Sequence, residues 1–269
     1  MDKYAVIGSP ISHSLSPRIH AIFAQQTRQA LEYEALEVRP EEFFEQINRL
    51  QNSGYKGLNI TLPLKQLAWE TADLCSPDCD RAQAVNVLAF EQDGRRHGFN
   101  TDGSGLLRDL TVTHAVQLEH KDILILGAGG AVRGILAPLL RSHPRQIIIA
   151  NRTVDKAVQL AENFKDLGRV SGCGLNALDG RYDLIINGTA AGINDELPAL
   201  PDGILGDGGI SYDLMYGIQP TAFVRWGQEQ GARLALDGLG MLIEQAAESF
   251  YIWRGIKPDT RPVLKQLRS

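Results

Sequence analysis

Lys65 closes the run Asn59-Ile60-Thr61-Leu62-Pro63-Leu64-Lys65, and its position is unusual. Alternation along a strand puts Asn59 and Thr61 on one face. Pro63 then turns the chain, so Lys65 falls in the first turn of a following helix, where the helix dipole disfavours a cation. A lysine there can stabilise negative charge developing on an oxygen and release a proton to it. Asp102, in Asn100-Thr101-Asp102-Gly103, is a carboxylate able to accept a hydrogen bond from such a lysine and hold it in place. Ser12-His13-Ser14-Leu15-Ser16-Pro17 presents hydroxyls just before a helix, and Asn86 adds an amide at a strand end. Taken singly, each also has a structural explanation: helix-capping serines, a solvated lysine, and an Asp102 N-cap ahead of Gly103 and Leu106.

A second group points to a nucleotide. The strand Asp122–Leu126 runs into Gly127-Ala128-Gly129-Gly130-Ala131, and a helical run begins at Val132. Such a turn lets backbone N–H groups and a helix N-terminus face a pyrophosphate with no Cβ in the way. The G-x-G-x-x-G spacing is not met, because its third position is Val132. The next strand ends at Asn151-Arg152-Thr153, with Lys156 one turn on, where an NAD site would carry an acidic residue. Arg152 and Lys156 supply positive charge and Thr153 a hydroxyl for a 2′-phosphate, which predicts NADP rather than NAD.

These residues need a scaffold of strands whose ends carry them. In the first half, strands are predicted at 4–7, 33–38, 57–62, 85–91 and 96–99, with a hairpin turn at Asp93-Gly94. Helices are expected from Pro17, over 40–50 and over 64–74. After Gly103 the pattern becomes a regular β-α-β alternation with apolar strands at 122–126, 146–150, 182–186, 209–214 and 233–236. Continuous apolar strands with helical crossovers imply a parallel sheet covered on both faces. A final helix, 239–253, closes the series.

Composition agrees with a small-molecule protein. The 269 residues are 43% hydrophobic and 22% charged, which excludes a disordered chain and gives a soft expectation of two domains. Lys+Arg 27 against Asp+Glu 32 leaves a net charge of −5, without the broad basic face that nucleic-acid binding requires. No apolar segment approaches a membrane span, and no signal-peptide core leads the chain. The cysteines Cys75, Cys79 and Cys173 lack metal-ligand spacing and read as free thiols in a reducing cytoplasm. His13 and His20 lie seven apart around a helix start with no metal-like partners and read as structural or solvent-facing.

The motifs follow one another in a familiar order. SHSLSP at 12–17, NITLPLK at 59–65, AVN at 84–86, NTDG at 100–103, GAGGA at 127–131, NRT at 151–153, YDLMY at 212–216 and DGLGMLIEQAA at 237–247 together resemble shikimate dehydrogenase over essentially the whole chain. The resemblance implies NADPH-dependent, reversible reduction of 3-dehydroshikimate to shikimate, on the way to chorismate and the aromatic amino acids. It implies an α/β protein: an N-terminal mixed α/β substrate domain (1–101, completed by helices in 239–269), a doubly wound Rossmann-like NADP domain (102–238), and a cleft between them. Lys65 and Asp102 would be the catalytic pair. Ser14, Ser16 and Tyr216 would bind the substrate carboxylate, and Thr61, Asn86 and Gln245 the ring hydroxyls. Gly127, Ala128, Gly129, Gly130, Ala131, Asn151, Arg152, Thr153, Lys156, Leu214 and Gly238 would contact NADP(H). No metal, nucleic acid or membrane partner is implied, and a cytoplasmic monomer or homodimer is expected.

Some positions depart from the family pattern. Val87 and Phe99 stand where Thr and Asp are usual, Lys156 replaces a common Arg, and the loop Asn187–Gly192 is less serine-rich. Two other readings remain open: an NAD-preferring quinate/shikimate dehydrogenase, and a non-catalytic NADP(H)-binding sensor on the same scaffold. An acidic residue after 146–150 would favour the first, and loss of Lys65 or Asp102 the second.

Overall fold

The computed structural model describes residues 1–189 and 196–268; residues 190–192 of the loop noted above lie outside that set. By its contacts the chain divides into two units, residues 1–106 with 242–269, and residues 107–241.

The first unit is built on β1 (Asp2–Gly8), α1 (Ser16–Thr27), β2 (Leu31–Glu37), α2 (Phe43–Asn52), β3 (Tyr55–Ile60), α3 (Lys65–Glu70), β4 (Leu74–Cys75), α4 (Pro77–Ala82), β5 (Val87–Phe90) and β6 (Arg96–Phe99). Its sheet runs β2-β1-β3-β5-β6-β4. β1 pairs in parallel with β2 and β3, whereas β5 runs antiparallel to β3 and β6. Gly94, at φ +88, turns the β5–β6 hairpin in a conformation an L side chain rarely adopts. The expected helix 64–74 is shorter, because it ends at Glu70 and the chain re-enters the sheet as β4. Ala5, Ile7, Phe43, Ile47, Leu58, Ile60 and Leu64 form one buried core.

α5 (Asp102–Arg108) leads to the second unit, which carries β7 (Asp122–Leu126), α6 (Gly130–Leu140), β8 (Gln146–Asn151), α7 (Val154–Glu162), β9 (Val170–Gly174), β10 (Tyr182–Asn187), β11 (Leu205–Asp213), α8 (Ala222–Glu229) and β12 (Leu234–Leu236). The sheet order is β12-β11-β10-β7-β8-β9, with every pairing parallel. Counted from β7, this is the doubly wound order in which the winding reverses between the first and fourth strands. The interior strands β7 and β10 bury side chains on both faces, as their unbroken apolar runs require. β9 has no sequence signal, since its run is Val-Ser-Gly-Cys-Gly. A Cβ at Gly172 would sit 2.3 Å from the Ala157 carbonyl of α7, so a glycine is needed where helix and strand backbones touch.

α9 (Leu239–Arg254) and α10 (Arg261–Arg268) close the chain. From Leu242 onward, α9 packs on the first sheet. Trp253 stacks on Tyr4 with ring centroids 4.7 Å apart and donates to the Leu88 carbonyl at 3.1 Å. Arg254 pairs with Asp2 at the start of β1.

Candidate active site

In the first unit, the ends of β3, β5 and β6 and the helices α3, α5 and α9 bring the polar cluster together. Leu62-Pro63, a cis peptide, ends the passage from β3, and Lys65 is the first residue of α3. Its ammonium donates to Asp102 Oδ2 at 2.5 Å. Asp102 opens α5, its backbone N–H bonded to Asn100 Oδ1 at 3.1 Å. Asn100 is itself tied to the Ala84 carbonyl at 2.8 Å, so β6 delivers the carboxylate through a braced turn. Lys65 is 9% and Asp102 4% exposed, so the ion pair is largely withdrawn from water. A close buried pair of this kind gains electrostatic strength from its surroundings and is costly to break.

Asn86 stands immediately before β5. Its Nδ2 donates to Asp102 Oδ1 at 2.9 Å, to Thr101 Oγ1 at 3.0 Å and to Gln245 Oε1 at 3.3 Å. Its Oδ1 accepts from the Thr101 backbone N–H at 2.8 Å. Gln245 comes from α9, 159 positions away from Asn86. Lys65, Asp102, Asn86 and Gln245 are therefore one bonded group. Ser16 is buried at the start of α1, and its N–H donates to Ser14 Oγ at 3.3 Å. Thr61 is half-buried beyond the end of β3, its N–H bonded to the Ile7 carbonyl at 2.9 Å. His13 is exposed, whereas His20 is buried on α1 with its ring stacked on Tyr33.

The fold adds further contacts to this group. Asn59 bonds the Asn86 carbonyl and Ser249, while Thr101 donates to the Gln245 carbonyl at 3.2 Å. Alternation places Asn59 beside Thr61, but nothing local announces Ser249, which is 190 positions from Asn59.

In the second unit, the glycine turn lies where β7 and β10 end, at the reversal of strand order. Gly127 has φ +102, and a Cβ there would meet the Gly188 carbonyl oxygen at 2.9 Å. Gly188 N–H in turn bonds the Leu126 carbonyl at 2.8 Å. Gly129 is the N-cap of α6, without a side-chain cap, and a Cβ on it would project into open space. The helix thus starts at Gly130, two residues ahead of the expected Val132, because the glycines themselves form its first turn. Uncapped amides beside a Cβ-free opening suit a pyrophosphate. Ala128 is buried in this turn, and Ala131 is half-buried on the first turn of α6.

β8 ends at Asn151, whose Nδ2 bonds the Thr153 carbonyl at 2.9 Å. Thr153 occupies the N-cap position of α7 without a side-chain cap bond, and Arg152, Thr153 and Lys156 are exposed. These cationic and hydroxyl groups are chemically suited to a 2′-phosphate. Leu214 and Gly238 adjoin: a Cβ on Gly238 would lie 2.3 Å from the Leu214 carbonyl oxygen. Asp213 braces this turn by accepting from Thr221 at 2.6 Å, Asn187 at 3.1 Å and the Met215 N–H at 3.1 Å. Burial raises its pKa above the usual carboxylate value against these three bonds. Tyr216 is half-buried just beyond β11, two residues after Leu214.

The parallel order and the glycine turn at its switch point define a dinucleotide-binding α/β protein. Residues 6–88 match the shikimate dehydrogenase substrate binding domain, 109–193 the shikimate/quinate 5-dehydrogenase family, and 238–268 the shikimate 5′-dehydrogenase C-terminal domain. The chain belongs to the shikimate dehydrogenase family. It is 53% identical, over 99% of its length and 98% of the relative's, to shikimate dehydrogenase (NADP(+)) of Alkalilimnicola ehrlichii. Among solved structures it is similar to an Ael1 enzyme from Pseudomonas putida, with 46% identity and a TM-score of 0.91 over 100% of this chain and 99% of that one. It is also similar to shikimate 5-dehydrogenase from Thermus thermophilus, solved with NADP(H) and shikimate. That match has 32% identity and a TM-score of 0.86, covering 100% of this chain and 99% of the other.

Proposed function

We infer that the chain is an NADP-dependent oxidoreductase interconverting 3-dehydroshikimate and shikimate in aromatic biosynthesis, and that Lys65 and Asp102 are its catalytic pair. The observation that carries this reading is the buried Lys65–Asp102 ion pair bonded through Asn86 to Gln245. NADPH, when bound, supplies the hydride that makes the ketone carbon a carbinol. Lys65 then stabilises the negative charge developing on the carbonyl oxygen and releases a proton to it. Asp102 holds the lysine and accepts from a substrate hydroxyl, so both groups are oriented before reaction.

Asn86, Gln245 and Thr61 are assigned the ring hydroxyls, and Ser14 and Ser16 the carboxylate. Tyr216 keeps its carboxylate assignment on the family resemblance. Gly127 to Ala131 would receive the pyrophosphate, and Asn151, Arg152, Thr153 and Lys156 the 2′-phosphate end. Leu214 and Gly238 would border the rest of the cofactor. We assign 1–101, completed by 239–269, to the substrate and 102–238 to NADP. The protein is placed in the cytoplasm as a monomer or homodimer, in keeping with three unbridged cysteines. Among the described residues, no helix is long and apolar enough to cross a membrane.

The test is a spectrophotometric assay of the purified protein with shikimate or quinate, each paired with NADP or NAD. Turnover confined to shikimate with NADP supports the reading. Preference for quinate or NAD refutes the substrate or cofactor assignment, and NADPH binding without turnover on any pair refutes catalysis.

A further inference from the structure

Tyr33 lies on β2, the edge strand of the first sheet, and its hydroxyl donates to Asn59 Oδ1 at 2.7 Å. The other side of the amide fixes that direction. Asn59 Nδ2 faces the backbone carbonyl of Asn86 at 3.2 Å and Ser249 Oγ at 2.9 Å. A carbonyl only accepts, so the NH₂ must point to Asn86 and Oδ1 to Tyr33. Ser249 donates onward to the Gln245 carbonyl at 2.9 Å, and so it accepts from Asn59. Both amide hydrogens of Asn59 are thereby committed to the segments that carry Asn86 and Gln245.

The Tyr33 ring is itself held. It stacks on the buried His20 ring with centroids 4.0 Å apart and planes 7° from parallel, and Trp253 lies 6.4 Å away. A phenol gripped on its face has little freedom to move its hydroxyl. Burial also keeps this phenol well above its ordinary pKa, so it stays protonated and able to donate.

We propose that Tyr33 is a positioning residue for the reaction: its hydroxyl orients Asn59, which sets the places of Asn86 and Gln245. This rests on the assignment of those two residues to substrate. Tyr33 acts through Asn59 rather than by touching substrate or cofactor. Tyr33→Phe removes the hydroxyl and keeps the stacked ring.

The experiment is steady-state kinetics of Tyr33→Phe with shikimate and NADP, in the otherwise native chain and in an Asn59→Ala background. Loss of one neutral hydrogen bond from the network should lower kcat/KM for shikimate by about 5- to 10-fold, with KM for NADP unchanged. In the Asn59→Ala background the same substitution should have no further effect, because its route to the substrate residues is gone. If Asn59→Ala does not fold, Ser249→Ala serves as background, and the two losses should combine to less than their product. Unchanged kcat/KM in Tyr33→Phe, or an equal loss in both backgrounds, overturns the proposal. An unaltered protein inactive with shikimate and NADP overturns the functional reading instead, and this inference with it.

Discussion

The Lys65 ammonium and Asp102 Oδ2 lie 2.5 Å apart although 37 positions separate them, and both side chains are largely sealed from water. Neither can be removed without leaving the other charge buried and unpaired. The geometry also leaves Asp102 Oδ1 bonded to Asn86, so one carboxylate joins the lysine to the amide network.

Lys65→Ala should lower turnover by about 10²- to 10⁴-fold, the usual worth of a positioned acid–base group, while NADPH still binds. Asp102→Asn should lose activity similarly, since a neutral amide cannot hold the ammonium electrostatically. The check is kcat with shikimate and NADP beside NADPH fluorescence titration. Native-like turnover in Lys65→Ala removes that residue from the mechanism.

Arg152→Ala should weaken NADPH binding by about 1.5–3 kcal/mol, the range for hydrogen bonds to a charged group, and NADH binding much less. Arg152 is exposed at the end of β8, so the variant should keep its fold. Paired titrations with the two cofactors decide the matter. Equal weakening of both sinks the phosphate assignment.

His20 ties stability to pH. Burial lowers its pKa from 6.5 to about 3, with the Asn59 side chain opposing the shift. Between those values the unfolded chain binds a proton that the folded one excludes. The contribution is therefore full above pH 6.5 and falls by up to about 1.4 kcal/mol per pH unit toward pH 3. His20→Leu, similar in volume and without a titrating group, should flatten that part of the profile. Urea melts from pH 7 to 4 would show it, and parallel profiles for the two proteins would remove His20 as the cause.

Gly172→Ala should destabilise the fold by about 1–3 kcal/mol, because overpacking must push α7 off β9. The added methyl would lie 2.3 Å from the Ala157 carbonyl. A thermal melt measures the loss, and an unchanged Tm would show that helix and strand are not held this closely.

Elements whose signals are local are legible in the chain alone. Apolar runs marked the interior strands, Asp93-Gly94 marked a hairpin, and the glycines after Leu126 marked a backbone cradle. The absence of an acid after β8 and the lysine at the start of α3 were equally legible, since both turn on what one short segment carries. β9 and β4 were not, because each forms by pairing with a neighbour and lacks an apolar run of its own. The short α4, Pro-Asp-Cys-Asp-Arg-Ala, is likewise too brief for apolar periodicity to mark it.

Tertiary structure alone decided the rest. The strand order puts Gly127 beside Gly188, and α9 brings Gln245 and Ser249 to Asn86 and Asn59. It also made His20 a buried partner of Tyr33, although its position on α1 was plain from the start. Periodicity reports which face of an element is apolar. Which faces meet is settled by packing among segments distant in sequence, and side-chain hydrogen bonds form only after that packing has placed their donors and acceptors.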